Sequence, residues 1–342
     1  MHRPLRLTLD RAALAHNWRW LRDRAGVPAG AAVKADGYGL GARETVATLH
    51  SQGCRDFFVS TYSEAGELGG MPADSSLAIL HGVGPHDVEA ALASRARPVL
   101  NSPGQVARWR QAAPGRPCDV MVDTGMNRLG LRADEIACLD GLAIDTLHSH
   151  LACADEDIAL NQRQLQRFRE VAAAVPAERY SLANSAGICL GRDYSFDLVR
   201  PGLALYGGVP RREAKGAIRQ VARLEAEVIQ RRTIRAGESC GYGATFVARA
   251  DAEAAILNIG YADGYLRGFS STGTAFAGEF ALPVLGRVSM DLVAIDCGAV
   301  ANLREGDWVE IGYDLPTASQ ASGLSQYELL TGLGSRFERR WA

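Results

Sequence analysis

The feature that most constrains the fold of this chain is a regular alternation of short apolar runs with longer amphipathic segments between residues 30 and 206. Eight of the short runs predict β-strands, at 30–35, 56–60, 76–81, 97–100, 118–123, 144–150, 180–184 and 198–206. The segments between them predict helices; in 158–175, for example, apolar residues recur at helical spacing. Eight strand–helix units in about 180 residues favour a parallel (β/α)8 barrel, with an open doubly wound sheet as the alternative.

The pattern changes after about residue 217. Leu224, Ala226 and Val228 alternate with charged residues, which is typical of a strand with one buried face. Further short apolar runs separated by glycines follow, with one late helix near SQYELLTGL, so we predict a mainly β second domain. The run LRLTL at 5–9 is a ninth strand that an eight-stranded barrel cannot use. We therefore predict a barrel over 11–217 and a β-rich domain over 218–342, joined by the N-terminal strand within 1–10.

Composition excludes several classes of protein. The net charge of −2 provides no basic field for nucleic acid, and no apolar run approaches the roughly 20 residues of a membrane span. The N-terminus lacks the apolar core of a signal peptide. Seven cysteines are scattered singly, which is typical of reduced thiols in the cytoplasm. We expect a cytoplasmic protein that binds neither nucleic acid nor a membrane.

Lysine is rare in this chain, and one lysine occupies an unusual place. Only Lys34 and Lys215 occur among 37 basic residues. Lys215 lies in a polar stretch, whereas Lys34 ends the apolar run AGAAVK and precedes a glycine-rich loop. A desolvated lysine amine can condense with an aldehyde, which a guanidinium cannot do. The alternative is that the long side chain of Lys34 simply reaches water from the strand end.

Several polar residues lie where the predicted barrel strands end, which is where barrels place catalytic groups. They are Lys34 after strand one, the segment 123–128 after strand five, His150 after strand six, Ser185 after strand seven, and Arg200 with Gly202 at strand eight. The loops after strands seven and eight commonly hold phosphate. A reactive amine, a phosphate site and two arginines at one mouth suit pyridoxal phosphate.

A metal site is the competing interpretation of the same end of the barrel. His148 and His150 share one face of a strand, and Cys153 and Asp155 follow closely, as in some metallohydrolases. No second histidine pair or carboxylate-rich segment completes a ligand set, so we expect no metal.

Ten segments resemble those of alanine racemases and occur in the same order as in that family. They are AVKADGYGLG, MVDTGMNRLG, HSHLACADE, LANSAG, LVRPGLALYG, GYGATF, IGYADGY, LGRVSMDLVAID, GDWVEI and YELLTGLGSRF. The resemblance implies a (β/α)8 barrel followed by a β domain that the N-terminal strand joins. It also implies a pyridoxal-phosphate-dependent isomerase that interconverts L-alanine and D-alanine through the external aldimine, for peptidoglycan precursors or D-alanine metabolism, as a head-to-tail homodimer.

The resemblance assigns roles to individual residues. Lys34 would form the internal aldimine and act as the base on one face of the substrate. Tyr242 of the other subunit would be the base on the opposite face, and His150 would link it to Arg200, which points at the pyridine nitrogen. The phosphate would be held by Tyr38, Ser185, Gly202, Leu203 and Tyr327; Arg128 and the Met290 N–H would bind the substrate carboxylate, and Tyr261, Arg267, Arg287 and Asp291 would line the approach.

Elementary chemistry agrees with a pair of bases. Racemisation removes a proton from one face of a carbon and returns one to the other, so two groups on opposite faces are the minimum. A tyrosine with a pKa of about 10 needs cationic neighbours to act as a base near neutral pH.

This chain departs from the family pattern at one position that matters for substrate binding. Met121 stands where many family members place a carbamylated lysine that orients the carboxylate-binding arginine. We therefore expect Arg128 to be held by another anion, such as chloride, or by packing.

Two other functions remain as alternatives. A serine or broad-specificity racemase would share the chemistry, although the large Tyr327 favours alanine. Non-enzymatic pyridoxal-phosphate-binding homeostasis proteins lack the second domain that carries Tyr242 and Met290.

Overall fold

The structure is a computed structural model and describes residues 2–342. Its strands, in chain order, are β1 (Leu5–Leu9), β2 (Ala31–Ala32), β3 (Asp56–Val59), β4 (Ser76–Ile79), β5 (Arg97–Leu100), β6 (Cys118–Met121), β7 (Ile144–His148), β8 (Arg179–Ser181), β9 (Ala222–Ile234), β10 (Ser239–Cys240), β11 (Phe246–Val247), β12 (Ala252–Leu257), β13 (Thr274–Ala277), β14 (Phe280–Leu285), β15 (Val293–Asp296), β16 (Trp308–Ile311) and β17 (Glu338–Trp341). Its α-helices are α1 (Arg11–Ala25), α2 (Lys34–Tyr38), α3 (Ala42–Ser51), α4 (Tyr62–Glu67), α5 (Val88–Ala93), α6 (Pro103–Ala112), α7 (Ala159–Ala174), α8 (Ser185–Leu190), α9 (Leu315–Ser322) and α10 (Gln326–Thr331).

The chain divides into two compact units. One unit is Leu14–Arg219, and the other combines the chain up to Ala13 with Gln220–Ala342. We refer to them as the barrel unit and the β unit.

The barrel unit is a closed ring of parallel strands. Strands β2 to β8 pair in sequence order, each parallel to the next. The segment around Val199 completes the ring, because Val199 forms a parallel bridge with Ala29 while the Arg200 N–H donates to the Ala183 carbonyl over 2.9 Å. The predicted (β/α)8 barrel is therefore confirmed.

Most of the predicted barrel strands end earlier than the sequence pattern suggested, and the first and the eighth differ most. The first ends before Lys34, because the chain turns there into α2. The eighth does not continue to residue 206: Pro201 has no N–H to donate to a ladder, and Leu203–Tyr206 form a 3-10 turn instead. Both strands therefore end at the mouth of the barrel, which places the following residues in loops.

Local signals in the sequence account for several helix boundaries. Helix α6 begins at Pro103, and the Ser102 hydroxyl caps it by accepting from the Gln105 N–H over 3.3 Å. Helix α7 covers nearly all of the segment predicted from its helical spacing, 158–175, and buries Leu165, Phe168 and Val171.

The β unit is built around one eight-stranded sheet. Its order is β12-β15-β14-β13-β16-β9-β1-β17, and β12 also pairs with β9, so the sheet closes on itself. The N-terminal strand β1 belongs to this sheet, antiparallel to β9 and parallel to β17. Helix α10 begins with a capping box in which Ser325 and Glu328 bond each other's backbone N–H groups. Within residues 2–342, no helix has both the length and the apolar character needed to cross a membrane.

Candidate active site

Lys34 is the first residue of α2 and is separated from the first barrel strand, β2, only by Val33. The residues that follow turn through the left-handed region, with φ of 51° at Ala35, 50° at Asp36 and 57° at Tyr38. Residues other than glycine adopt this conformation at a cost of about 1 kcal/mol or more each. The Glu64 carboxylate supports the turn by accepting from the Ala35 N–H over 2.9 Å. This strained turn fixes the backbone of Lys34 at the mouth of the barrel.

The surroundings of Lys34 favour its neutral form. Its side chain is partly buried, and burial together with the positive charges of Arg128 and Arg200 lowers the pKa of the amine. The Glu64 carboxylate acts in the opposite direction. A neutral amine is a nucleophile towards an aldehyde and a base towards a carbon acid, so the direction of this pKa shift agrees with the reactivity predicted for Lys34.

Arg200 is a buried cation that is bonded to neutral oxygens. Its guanidinium donates to the Ser181 hydroxyl, to the Ser149 carbonyl over 2.5 Å and to the Leu182 carbonyl over 3.4 Å. Burial lowers the pKa of Arg200 to about 10, so the group stays protonated at neutral pH. Arg200 therefore supplies hydrogen bonds and a fixed positive charge, and it is a poor proton donor.

His150 follows β7, and its imidazole is affected by the positive charges of three nearby side chains. Burial, Arg200, Arg128 and Lys34 lower its pKa to about 3, so its imidazole is neutral. The His150 carbonyl accepts from the Gln164 amide over 3.0 Å, which fixes the backbone at this point. His150 itself therefore adds no positive charge to the barrel mouth. The predicted bond between His150 and Arg200 stays a prediction.

Tyr38, Ser185 and Gly202 come together where the seventh and eighth barrel strands end. The Ser185 hydroxyl accepts from the Gly202 N–H over 2.9 Å and from the Ala204 N–H over 3.2 Å. A Cβ atom at Gly202 would lie 2.1 Å from the Tyr38 hydroxyl oxygen, so only glycine allows this approach. Leu203 is the next residue and is buried. Two hydroxyls beside backbone N–H groups form a site of the kind that holds phosphate.

Arg128 lies exposed on the loop that follows β6. Backbone bonding holds this loop: the Asp123 carboxylate accepts from the Gly125 and Met126 N–H groups over 2.8 and 2.9 Å, and Val122 bridges to Leu131. Met121 is buried in an apolar cluster with Phe58, Ala78, Val99 and Leu198. The two expectations for Arg128, another anion or packing, both stay predictions.

In the β unit, Tyr242 is the most exposed of the large apolar and aromatic side chains, at 69%. It lies in the 3-10 turn Tyr242–Ala244, where Gly241 and Gly243 both have positive φ. The Arg287 guanidinium packs beside Gly243. Tyr327, in the first turn of α10, is also exposed, at 47%.

The predicted substrate residues of the β unit occupy two loops that bond to each other. The Tyr261 N–H donates to the Ser289 carbonyl and the Ala262 N–H to the Met290 carbonyl, both over 3.0 Å. The Arg267 guanidinium lies 5.3 Å from the centre of the Tyr261 ring. Gly260 is pressed against the Met290 carbonyl, where a Cβ would come within 2.3 Å. Tyr261, Met290 and Asp291 are thereby brought together.

The sequence did not predict the residue that clamps these loops. Arg336 donates to both oxygens of Asp263 over 2.6 Å and to Asp291 over 2.7 Å. Asp263 is fully buried and also accepts from the Gly260 N–H over 3.0 Å. Asp263 and Arg336 both occur in segments of the family resemblance, but their 73-residue separation gives no signal that they meet.

The barrel mouth is a site for an aldehyde-bearing, phosphorylated cofactor and offers no metal ligand set. In residues 2–342, no group of three histidine, cysteine or acidic side chains could hold a metal ion.

Comparisons with known proteins agree with this geometry. The family model described as the alanine racemase N-terminal domain matches residues 9–210, and that of the alanine racemase C-terminal domain matches residues 221–341. The biosynthetic alanine racemase of Agrobacterium fabrum is 40% identical, covering 99% of this chain and 94% of that protein. The alanine racemase of Dinoroseobacter shibae is 41% identical, covering 98% and 97%. The crystal structure of alanine racemase from Bartonella henselae with covalently bound pyridoxal phosphate superposes with a TM-score of 0.93, at 36% identity over 99% of both chains.

Proposed function

This chain belongs to the alanine racemase family: it is a pyridoxal-phosphate-dependent isomerase that interconverts L-alanine and D-alanine, and we propose that it does so with Lys34 of one subunit and Tyr242 of another. The observation that carries the assignment of Lys34 is its position at the barrel mouth with a lowered amine pKa. Lys215, the other lysine, has no comparable setting in the sequence.

The residues at the barrel mouth fit pyridoxal phosphate. The Tyr38 hydroxyl beside Gly202 and the Ser185 hydroxyl suit the phosphate, because the Ser185 oxygen accepts from two N–H groups and its own hydrogen is left to donate; Leu203 adjoins them. Arg200 would face the ring nitrogen and Tyr327 would add a phosphate contact. When bound to the substrate nitrogen, the cofactor withdraws electrons from Cα and makes its proton acidic.

Lys34 and Tyr242 then divide the proton transfer between two faces. In its neutral form the Lys34 amine takes a proton from its own face of Cα, and in its protonated form it returns one to that face. The Tyr242 hydroxyl of the other subunit serves the opposite face of Cα. Arg128 would bind the substrate carboxylate, together with the Met290 N–H, and so hold Cα between the two bases.

Arg200 restrains the chemistry at the ring nitrogen. A guanidinium with a pKa of about 10 donates a hydrogen bond and keeps its proton at neutral pH. A ring nitrogen facing this guanidinium would accept a hydrogen bond without gaining a proton, and the ring would withdraw electrons less strongly than a pyridinium. This limits proton return to positions other than Cα and favours racemisation over transamination.

A homodimer follows from the same assignment. Tyr242 is 69% exposed in the single chain, and Met290 and Val247 are more than half exposed, at 53% and 52%. Large side chains exposed in this way are typical of a surface that a partner covers. The seven cysteines are all free thiols, which supports a cytoplasmic location.

Subunit complementation tests the shared site. Lys34→Ala and Tyr242→Phe homodimers should each lose racemase activity. In a heterodimer of the two variants, one site combines an intact Lys34 with an intact Tyr242. Co-expression should therefore restore about a quarter of the wild-type activity per chain, since half of the dimers are mixed and half of their sites intact.

The control is native mass spectrometry of the co-expressed protein. Confirmed heterodimers without recovered activity would contradict a site built from both subunits.

A further inference from the structure

The barrel unit contains a partly buried ion network that the proposed mechanism does not use. The Arg97 guanidinium bonds Asp119 over 2.8 Å and Asp145 over 3.2 Å, and Arg179 bonds Asp145 over 2.8 Å and Asp56 over 3.0 Å. These residues lie at the N-terminal ends of the barrel strands, opposite the mouth. Residues at that end of a barrel ordinarily serve stability.

One histidine connects this network to the catalytic end. His148 Nε2 lies 3.4 Å from Asp119 Oδ2, and both side chains are fully buried. In the pairing of β7 with β8, His148 is the register partner of Ser181, whose hydroxyl accepts from Arg200. Asp119, His148, Ser181 and Arg200 thus follow one another from the floor of the barrel to its mouth.

The protonation of His148 follows from its partner. An ionised carboxylate only accepts hydrogen bonds. His148 Nε2 must therefore carry a hydrogen and donate it in a hydrogen bond to Asp119. Burial lowers the pKa of His148 to about 4, so the ring is neutral and Nδ1 carries no proton. Within the part of the chain that the structure describes, buried Nδ1 has no hydrogen-bond partner.

The buried positive charge of Arg200 has no carboxylate in direct contact to balance it. Its hydrogen bonds go to the neutral oxygens of Ser181, Ser149 and Leu182, and no carboxylate among residues 2–342 forms an ion pair with it. A buried cation without any compensating charge is strongly destabilising. Asp119 is the carboxylate whose charge offsets that of Arg200 across the intervening layer.

We propose that His148 is a positioning residue for Arg200: it holds the Asp119 carboxylate in the layer below and keeps it from pairing directly with the guanidinium. This inference rests on the proposed role of Arg200 at the pyridine nitrogen. Arg200 then keeps N–H donors directed towards the cofactor, and the negative charge of Asp119 stabilises the guanidinium without direct contact. Without the hydrogen bond from His148, Asp119 would gain an unsatisfied buried oxygen and would draw Arg200 away from the mouth.

Three substitutions of His148 isolate the hydrogen bond. His148→Gln keeps an N–H donor that can reach Asp119, His148→Asn carries the same amide on a stem one methylene shorter, and His148→Met fills a similar volume without a donor. The readouts are the dissociation constant of pyridoxal phosphate, titrated onto the apo-protein by absorbance, and the absorption maximum of the bound cofactor.

We expect the Met and Asn variants to bind the cofactor about tenfold more weakly, the effect of one lost hydrogen bond to a charged group, with a shifted absorption maximum. The Gln variant should restore both values to those of the wild type. Wild-type binding and spectrum in the Met variant would overturn the proposal. If the Met variant does not fold, wild-type behaviour of the Asn variant would overturn it equally.

Asp145→Asn is the matched control. Asp145 belongs to the same ion network and bonds Arg97 and Arg179. Its substitution should lower the stability of the barrel and leave the cofactor affinity and spectrum unchanged. An equal spectral shift in this variant would show that any damage to the network moves the cofactor, which contradicts a specific role for His148. If the wild type itself bound no pyridoxal phosphate, the proposed function would fail instead.

Discussion

Arg336 is the residue whose removal should most clearly separate the two loops that carry the predicted substrate contacts. It bonds Asp263 twice over 2.6 Å and Asp291 once over 2.7 Å, and so joins the loop of Tyr261 to the loop of Met290. In Arg336→Met the buried Asp263 carboxylate would retain a single bond, from the Gly260 N–H.

The magnitude follows from the burial of the two partners. Breaking a buried ion pair by removing one member costs about 3–5 kcal/mol. Asp263 is fully buried, but the Arg336 side chain is 45% exposed, so water would reach the vacated space and reduce the penalty. We expect the free energy of unfolding of Arg336→Met to fall by about 2 kcal/mol.

Urea unfolding and steady-state kinetics measure the two consequences. The midpoint of unfolding should fall with an unchanged slope, and KM for alanine should rise because Tyr261, Met290 and Asp291 lose their common support. Arg340→Met is the control: Arg340 pairs with Glu338 on the surface, with side chains 52% and 41% exposed, so its loss should cost less than about 0.5 kcal/mol. Equal losses in the two variants, or an unchanged KM in Arg336→Met, would refute the reasoning.

Two further predictions concern the barrel mouth. Gly202→Ala should weaken pyridoxal phosphate binding to the apo-protein by about tenfold or more, because the new Cβ would lie 2.1 Å from the Tyr38 hydroxyl oxygen and must displace that ring; unchanged affinity in the same absorbance titration would contradict this. In the apo-protein, Lys34 reacts with an amine reagent only when deprotonated, so the midpoint of its pH profile follows its pKa. Arg128→Gln removes a charge that lowers this pKa and should move the midpoint to higher pH, whereas Glu64→Gln removes a charge that raises it and should move the midpoint to lower pH; shifts in the same direction would count against the electrostatic account.

The number and order of the barrel strands could be predicted from the sequence, because parallel strands are buried on both faces and therefore appear as continuous apolar runs. All eight predicted runs contain residues that pair in the ring, and the start of α6 follows from the Ser102-Pro103 capping signal. These features depend on local composition, which the sequence displays directly.

The exact ends of the first and eighth strands could not be predicted. Ala35 and Asp36 adopt a left-handed conformation that their residue types disfavour, and a bond from Ala35 to Glu64, 29 residues away, supports it. Only the folded chain brings that partner into reach, so no local pattern reveals the turn that positions Lys34.

Two long-range polar contacts were missed for a similar reason. Arg336 and Asp263 are 73 residues apart, and His148 and Asp119 are 29 residues apart. In the sequence, His148 looked like part of a possible metal pair with His150. The structure instead buries His148 beside a carboxylate, a position that depends on how neighbouring strands align.

The central claim is that one particular amine captures the cofactor. Reduction of the purified holoenzyme with borohydride, followed by peptide mapping, tests it most directly. We predict that the visible absorbance of the bound cofactor disappears and that the pyridoxyl label is found on Lys34 alone. A label on Lys215, or a Lys34→Ala protein that keeps the absorbance band and the label, would contradict the account.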